Sequence, residues 1–576
     1  GRRNPRAFYR EVIVKDKTEQ STFDIDRAEV RSPLGALSPL SDAAERNDSF
    51  SWETNIGLQT HIGDLVGTTV GGKTVLPYGA NTPGTVTWQI DAGVAQDVSD
   101  GVITYGFFDG KHAVGLNNNP NSGEGKGYTP FTTAQIAAAR VAIQNWDELI
   151  SAKFVEVPQG PGVSTWAQKT TDIMLANTTT GPAQAWAYYP GYSQQDERVS
   201  GDVWIADPRV NGSNNQFLPG QYGLQTLNHE LGHALGLSHP GTYNFGDDSD
   251  GDGQPDPINY TGDAQYFQDS HQFSIMSYFD SYETSAQNVD WNVMRFLYPS
   301  TPMVDDVYVI QQKYGADLTT RTGNTTYGFN STADVTNEAM KFKDGEMFTI
   351  FTIWDAAGYD TINLSGYYTP SIIDLREGAY SRAGGYGAYN AAEVGTTPTL
   401  AAINAHNAAA GLGARTAQLY NIYFNGVAGT NEGVSWQEIT GTTDEYLMGQ
   451  NIGIAYGAII ENAIGGHGDD RINGNQANNR FTGGGGADTF VLADYSGTIP
   501  SPGAPGGTVV VDTSVDTIAD FSRAQGDKID LSELGISFGS LTFNNATDTV
   551  TVQRAAGSFQ FVIQGANEIQ PSDFVF

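Results

Sequence analysis

The run His229-Glu230-Leu231-Gly232-His233, followed by Gly236 and His239, gathers three imidazoles and a carboxylate within eleven residues. On a helix, positions 229 and 233 lie one above the other, so both rings can reach one zinc ion from the same face. Gly236 can adopt the left-handed conformation that ends a helix, turning the chain so that His239 approaches from another direction. Three nitrogens leave a position open for water. Zinc lowers the pKa of that water and polarises a carbonyl, and Glu230 can take its proton during attack and pass it to the departing amine. That chemistry is amide hydrolysis without a covalent intermediate. An amphipathic core helix with incidental histidines is the plainer alternative. It is disfavoured because three of the chain's eight histidines fall here, with a glycine where the chain must turn. His61, His112, His271, His406 and His467 lack ligand spacing and are expected on the surface or in loops.

A second pattern has a period of nine. Units begin at Gly465, Gly474 and Gly483, with Asp470, Asn479 and Asp488 at position six and Ile472, Phe481 and Phe490 at position eight. In a parallel β-roll the apolar residue fills the core, and the carboxylate points into a turn where stacked turns can share Ca²⁺. With two units per coil, the unit at Gly465 stacks on the unit at Gly483. The expected calcium turns therefore comprise Gly465, Gly466, Gly468 and Asp470 with Gly483, Gly484, Gly486 and Asp488. The unit at Gly474 faces the opposite edge, where Asn479 and Ala477 offer less charge and a less permissive turn, so that edge is expected to be weak or empty. A flexible Gly-rich linker would not keep apolar residues in a fixed phase.

The elements that must position these residues can also be read. Thr132 and Gln135 form a capping box opening a helix with Ile136, Ala139, Ile143, Trp146 and Ile150 on one face. Strands are expected at 153–157 and 172–176, and the histidine helix over about 224–235. Beyond about Asp317 the helix signal fades, and short alternating runs such as 349–353 and 361–364 are separated by Gly and Asp turns, so a β domain is expected to take over.

The 576 residues exceed one core and favour several domains. Thirty Lys plus Arg against 65 Asp plus Glu leave a net charge of −35, which disfavours nucleic acid and anionic lipid as partners. Asp outnumbers Glu about two to one, and 69 Gly accompany it, a composition suited to turns and calcium loops. Cysteine is absent, which excludes disulfides, thiolate zinc sites and a cysteine nucleophile. No stretch is long and apolar enough for a membrane span, and the first residues carry no secretory h-region.

Downstream of the helix, Ser274-Ile275-Met276-Ser277-Tyr278 is similar to the methionine turn of the metzincins, where the Met lies beneath the metal. With His239-Pro240-Gly241, Thr352-Ile353-Trp354-Asp355, Glu461-Asn462-Ala463-Ile464-Gly465-Gly466 and Ile518-Ala519-Asp520-Phe521, the sequence resembles the serralysin family of secreted bacterial endopeptidases over roughly 105–576. The resemblance implies an α+β fold: a metzincin zinc protease domain over 51–315, then an all-β parallel β-roll or sandwich over 316–576 that binds several Ca²⁺. Residues 1–50 would be an extension or pro-segment. The resemblance implies one catalytic zinc on His229, His233 and His239, with Glu230 as base and Met276 as the structural residue of the turn. Tyr278 would approach zinc at rest and swing to stabilise the oxyanion. It also implies protein or peptide substrates, a secreted or cell-surface location, and a monomer that does not insert into membranes. Type I export machinery would read a C-terminal signal ending in Asp573-Phe574-Val575-Phe576.

Further calcium candidates are Asp355, Gly358, Asp360, Asp520 and Asp527, and an insertion carrying Asp248, Asp250, Asp252 and Asp256. That insertion reads like an EF-hand loop with Asn259 in place of the bidentate Glu. Alternative readings are a calcium-dependent surface-associated binding module and a protease precursor autoinhibited by its first 50 residues.

Overall fold

The computed structural model describes residues 61–108, 126–158, 171–181, 184–191, 199–244, 251, 258–284, 286–333, 338–425, 446–555 and 557–576. Residues 1–50, His112, and Asp248, Asp250, Asp252 and Asp256 lie outside the described residues.

Helix α1, Thr133–Asp147, opens as its sequence predicts. The Thr132 hydroxyl accepts the N–H of Gln135 at 3.2 Å, and Gln135 Oε1 accepts the N–H of Thr132 at 3.0 Å. Ala139, Ile143 and Trp146 are buried along one face; Ile150 is buried too, but beyond the helix end, bridging to Ala316. A six-stranded sheet lies in this half, with the order Lys153–Glu156, Val102–Phe107, Ile173–Thr178, Asp202–Ala206, Ala185–Ala187, and Tyr128–Thr129 attached to Ile173–Thr178. The first four are parallel, and Ala185–Ala187 runs antiparallel at the edge. Ile173–Thr178 and Asp202–Ala206 are buried at every position, as parallel strands covered on both faces must be. Helix α2, Tyr222–Ala234, carries the histidine motif and packs against α1, and helix α3, Val304–Tyr314, ends at Gly315 with φ 77°.

In the C-terminal half the nine-residue pattern becomes two facing stacks of short strands, most of them three residues long. Thr326–Gly328, Thr361–Asn363, Asn462–Ile464, Arg480–Thr482, Val515–Ile518 and Gly557–Ile563 pair in parallel on one side. Ile372–Asp374, Arg471–Asn473, Thr489–Val491, Lys528–Asp530 and Phe574–Val575 pair in parallel on the other. Consecutive repeats alternate sides, so Ile472 and Phe490 face Phe481 across an apolar core.

The β domain expected after Asp317 is not all β. Helices α4, Leu400–Ala409, and α5, Ala417–Asn425, interrupt it. Ile403, Leu419 and Tyr423 bury themselves against Trp291, Phe296 and Tyr298. The helical signal at 400–409 is an Ala-rich run capped by Thr399, whose hydroxyl accepts the N–H of Ala402 at 3.2 Å. One contiguous set of buried apolar side chains runs from Ile62 through α1–α3 to the roll and Phe574. Among the described residues no helix is long and apolar enough to cross a membrane.

Candidate active site

Helix α2 is held by buried polar contacts on its far face. Trp146 Nε1 donates to the Asn228 carbonyl at 3.1 Å, Asn145 Nδ2 to Asn228 Oδ1 at 3.1 Å, and Asn228 Nδ2 to the Ser300 carbonyl at 3.3 Å. These contacts fix the rotation of α2, so His229 and His233 share the opposite face. Gly236 has φ 91°, and a Cβ there would collide with the Val94 carbonyl, so the chain turns where a glycine is required. His239 is thereby brought back to the end of the helix.

The three Nε2 atoms converge: His233 to His239 is 3.0 Å, and His239 to His229 is 3.3 Å. Each Nδ1 is committed elsewhere. His229 Nδ1 bonds the Ile275 carbonyl at 2.8 Å and His233 Nδ1 the Leu237 carbonyl at 2.7 Å, while His239 Nδ1 meets the Tyr243 carbonyl at 3.2 Å and Asn244 Oδ1 at 3.1 Å. A carbonyl only accepts, so each Nδ1 carries the hydrogen and each Nε2 presents a lone pair to the other two. Burial pushes His229 down to about 3, with His239 adding to the effect, and burial takes His239 down to about 4. Protons therefore do not neutralise the convergence at neutral pH. A divalent cation that accepts three nitrogens fits it, with the outer hydrogen bonds setting the tautomers.

Glu230 follows His229 on α2 and is buried. Met276 is fully buried beneath α2 at Gly232. The half-buried Tyr278 places its ring centroid 4.4 Å from that of His239 and 6.1 Å from that of His229. The loop carrying Met276 and Tyr278 is fixed by α3, where Asp306 accepts the N–H of Ile275 at 2.6 Å, the N–H of Met303 at 2.7 Å and the Ser274 hydroxyl at 2.7 Å. Sequence reasoning missed Asp306. A carboxylate three residues after Met303 at a helix start was its only signal.

Of the other described histidines, His406 lies on helix α4 rather than in a loop, and two that do lie in loops, His271 and His61, are less exposed than a surface position would be. His271 is not a surface residue: it is buried, with Nδ1 3.6 Å from Asp280 Oδ1 and its N–H bonded to the Phe279 carbonyl at 2.7 Å. His61 is half-buried and reaches the Glu377 carbonyl at 2.6 Å, pinning the start of the described chain onto the roll.

The expected calcium residues fall into two places. Asp470 and Asp488 occupy one edge of the roll, in turns one coil apart. The N–H of Ser371 donates to Asp470 Oδ1 at 2.7 Å, that of Asp470 to Asp488 Oδ1 at 2.9 Å, and that of Asp488 to Asp527 Oδ1 at 3.1 Å. Asp520 accepts the N–H groups of Gly483 and Gly484, each at 2.9 Å. A Cβ on Gly465, Gly466, Gly468, Gly484 or Gly486 would strike a carbonyl or backbone atom of the neighbouring turn, and one on Gly483 would strike Asp488. Burial, with Asp470, Asp527 and Asp520 nearby, pushes Asp488 up to about 8, and burial pushes Asp470 up to about 7. No lysine or arginine ion-pairs with Asp470, Asp488, Asp520 or Asp527 among the described residues, so a divalent cation suits this edge.

On the opposite edge Asp360, Glu461, Asn479 and Asp516 take the equivalent position. The N–H of Asp360 donates to Glu461 at 2.6 Å and that of Asn479 to Asp516 at 2.9 Å. Asp355 and Gly358 lie there as well: Asp355 accepts the Tyr327 hydroxyl at 2.6 Å, and Gly358 packs between Asp360 and the Gly323 carbonyl. Asp516 was not foreseen, because the hairpin Gly497–Ser501/Ala504–Val510 separates it from the nine-residue phase.

Residues 316–411 and 440–561 match the family described as Peptidase M10 serralysin C terminal. Helix α5 lies in the stretch between those segments. Serralysin C of Dickeya chrysanthemi is 40% identical over 261 residues, 45% of this chain and 49% of that protein. Serralysin of Proteus mirabilis is 31% identical over 383 residues, 66% of this chain and 60% of that protein. Serralysin B of Dickeya chrysanthemi is 36% identical over 285 residues, 49% of this chain and 53% of that protein. The chain spans about half to three fifths of the length of these relatives.

Proposed function

We propose, from the premise that the chain belongs to the serralysin family, that it is a secreted zinc-dependent endopeptidase acting on protein or peptide substrates. The observation that carries the reading is the convergence of three Nε2 atoms, His239 lying 3.0 Å from His233 and 3.3 Å from His229, each ring locked by a carbonyl behind it, next to the buried Glu230. His229, His233 and His239 would hold the zinc, which supplies Lewis acidity toward a water and the scissile carbonyl. Glu230 accepts the proton of the attacking water and delivers it to the departing amine. Tyr278, beside His239, donates its hydroxyl to the developing oxyanion. The strand Ala185–Ala187 pairs only with Asp202–Ala206 among the described strands, so its outer edge suits an extended peptide added as a further strand.

The division into a protease domain over 51–315, with residues 1–50 preceding it as an extension or pro-segment, and a roll over 316–576 belongs to the same proposal. So do Ca²⁺ binding at Asp470 and Asp488, and at Asp520 and Asp527 beside them. Binding at Asp355, Gly358 and Asp360, calcium-dependent folding, type I export and a monomeric state complete it. Cations bound by native turns and not by the unfolded chain stabilise the fold by mass action.

Casein zymography with and without a zinc chelator, on wild type and Glu230→Gln, tests the reading. Clearing that the chelator abolishes, and that falls by roughly 10² to 10⁴ in Glu230→Gln, is expected. A folded, zinc-loaded protein that clears nothing would favour a binding module.

A further inference from the structure

We propose that Asp269 is a positioning residue that couples the loop of the third histidine to the loop carrying Tyr278. The proposal rests on the zinc reading above. Asp269 is fully buried, and both of its hydrogen-bond donors converge on one oxygen. The Tyr243 hydroxyl donates to Asp269 Oδ1 at 2.7 Å, and the Ser277 hydroxyl donates to the same atom at 2.8 Å.

Each donor belongs to a different part of the site. Tyr243 follows His239: its ring stacks on the imidazole at 5.8 Å and 11°, and its carbonyl meets His239 Nδ1. Ser277 lies between Met276 and Tyr278, and its oxygen in turn accepts the N–H of Phe279 at 3.0 Å, bracing the turn beyond Tyr278. The rings of Tyr243 and Tyr278 then lie 5.2 Å apart. Among the described residues no backbone hydrogen bond joins these two loops at this point, and one carboxylate ties them.

His239 differs from the other two ligands in a way that makes this tie matter. All three rings meet an outer carbonyl, but His229 and His233 also sit on helix α2, whereas His239 follows a glycine turn and is oriented by Tyr243 and Asn244. A ligand whose ring is set by outer hydrogen bonds loses affinity when those bonds go, typically by about 10- to 100-fold. Asp269 acts one bond further out, through Tyr243. Its Ser277 branch sets the Tyr278 loop.

Zinc affinity is measured by chelator competition on the full chain with calcium present, for wild type, Tyr243→Phe, Asp269→Ala and Asp269→Asn. Tyr243→Phe keeps the stacked ring and the carbonyl on His239 and deletes only the hydroxyl; it is expected to weaken zinc binding by several-fold, up to about the 10-fold low end for a direct outer partner. Asp269→Ala should weaken it at least as much, and the double variant Tyr243→Phe/Asp269→Ala no further than the worse single, because both remove one link. Asp269→Asn retains an accepting oxygen and should hold zinc within a few-fold of wild type, a rescue that loss of packing alone would not give. Zinc affinity in Tyr243→Phe within about twofold of wild type overturns the inference, even if Asp269→Ala fails to fold. Failure of the wild-type chain to bind one zinc would instead overturn the reading beneath it.

Discussion

A Cβ placed on Gly232 would lie 2.5 Å from Sδ of Met276 and 3.2 Å from Cζ2 of Trp146. The glycine inside the histidine helix is therefore a matter of space. Two effects oppose each other in Gly232→Ala. Helix propensity favours alanine by about 1 kcal/mol, while overpacking a full core costs about 1 to 3 kcal/mol. Met276 is fully buried and cannot swing into solvent, so the expected outcome is a net loss of stability of up to about 2 kcal/mol. Denaturant midpoints at unchanged slope check it; a gain in stability would show that the Met276 side chain yields.

Tyr278→Phe removes a hydroxyl and leaves the ring that packs beside His239. Zinc content should stay at one per chain while kcat falls and KM changes little, as for a bond made in the transition state. The loss should be smaller than in Glu230→Gln. Steady-state kinetics on a peptide substrate separate this from a change confined to KM, which would limit Tyr278 to shaping the cleft.

The two edges of the roll should differ in calcium affinity. Asp488 is tied to Asp470 before it and Asp527 after it, so Asp488→Asn removes charge from the middle of an acidic stack. Asn479→Ala deletes an uncharged side chain on the other edge. Calcium titration monitored by calorimetry should show a larger loss of affinity for Asp488→Asn. Equal losses would mean that Asp360, Glu461 and Asp516 make the opposite edge a site of comparable strength.

Asp290, which is none of the proposed metal ligands, gives a separate pH dependence. Its carboxyl accepts the N–H groups of Asn292 at 3.0 Å and Phe348 at 2.9 Å, and burial pushes it up to about 6 from an ordinary 3.8. A raised acid favours the protonated folded state. Its contribution is thus fully present in acid below the ordinary value and is lost as pH rises through about 6. Thermal midpoints of wild type minus Asp290→Asn should accordingly fall between pH 4 and pH 7. A flat difference would show that the carboxyl is ionised throughout.

The parts of the molecule legible in the sequence are those fixed by short spacings. Thr132 with Gln135, the 229/233/239 triad with Gly236, and the alternation of Asp470, Asn479 and Asp488 each depend on contacts within one turn or one coil. Asp269 and Asp306 were not legible, since each acquires its meaning from loops brought to it by the fold. Helices α4 and α5 escaped for a different reason: their buried face is completed by Trp291 and Tyr298, more than a hundred residues earlier, so the local pattern is incomplete. His271 likewise shows no spacing that would announce its burial beside Asp280.

The two stacks of the roll also favour an order of assembly. Asn462 pairs with Arg480, and Arg471 with Thr489, both eighteen residues apart. Ile372 pairs with Arg471 across ninety-nine residues that include α4 and α5. Closing the longer loop costs about 1.5 kcal/mol more chain entropy than closing the shorter one. The coils between 462 and 491 are thus the natural nucleus, and the strands at 326–374 dock onto a surface that already exists. Pulse-labelled hydrogen exchange during refolding should find Ile472 and Phe490 protected before Ile362 and Ile373. That outcome would make the long insertion between the outer and inner coils the part that sets the refolding rate of the roll, while the stacking of its turns is untouched by it.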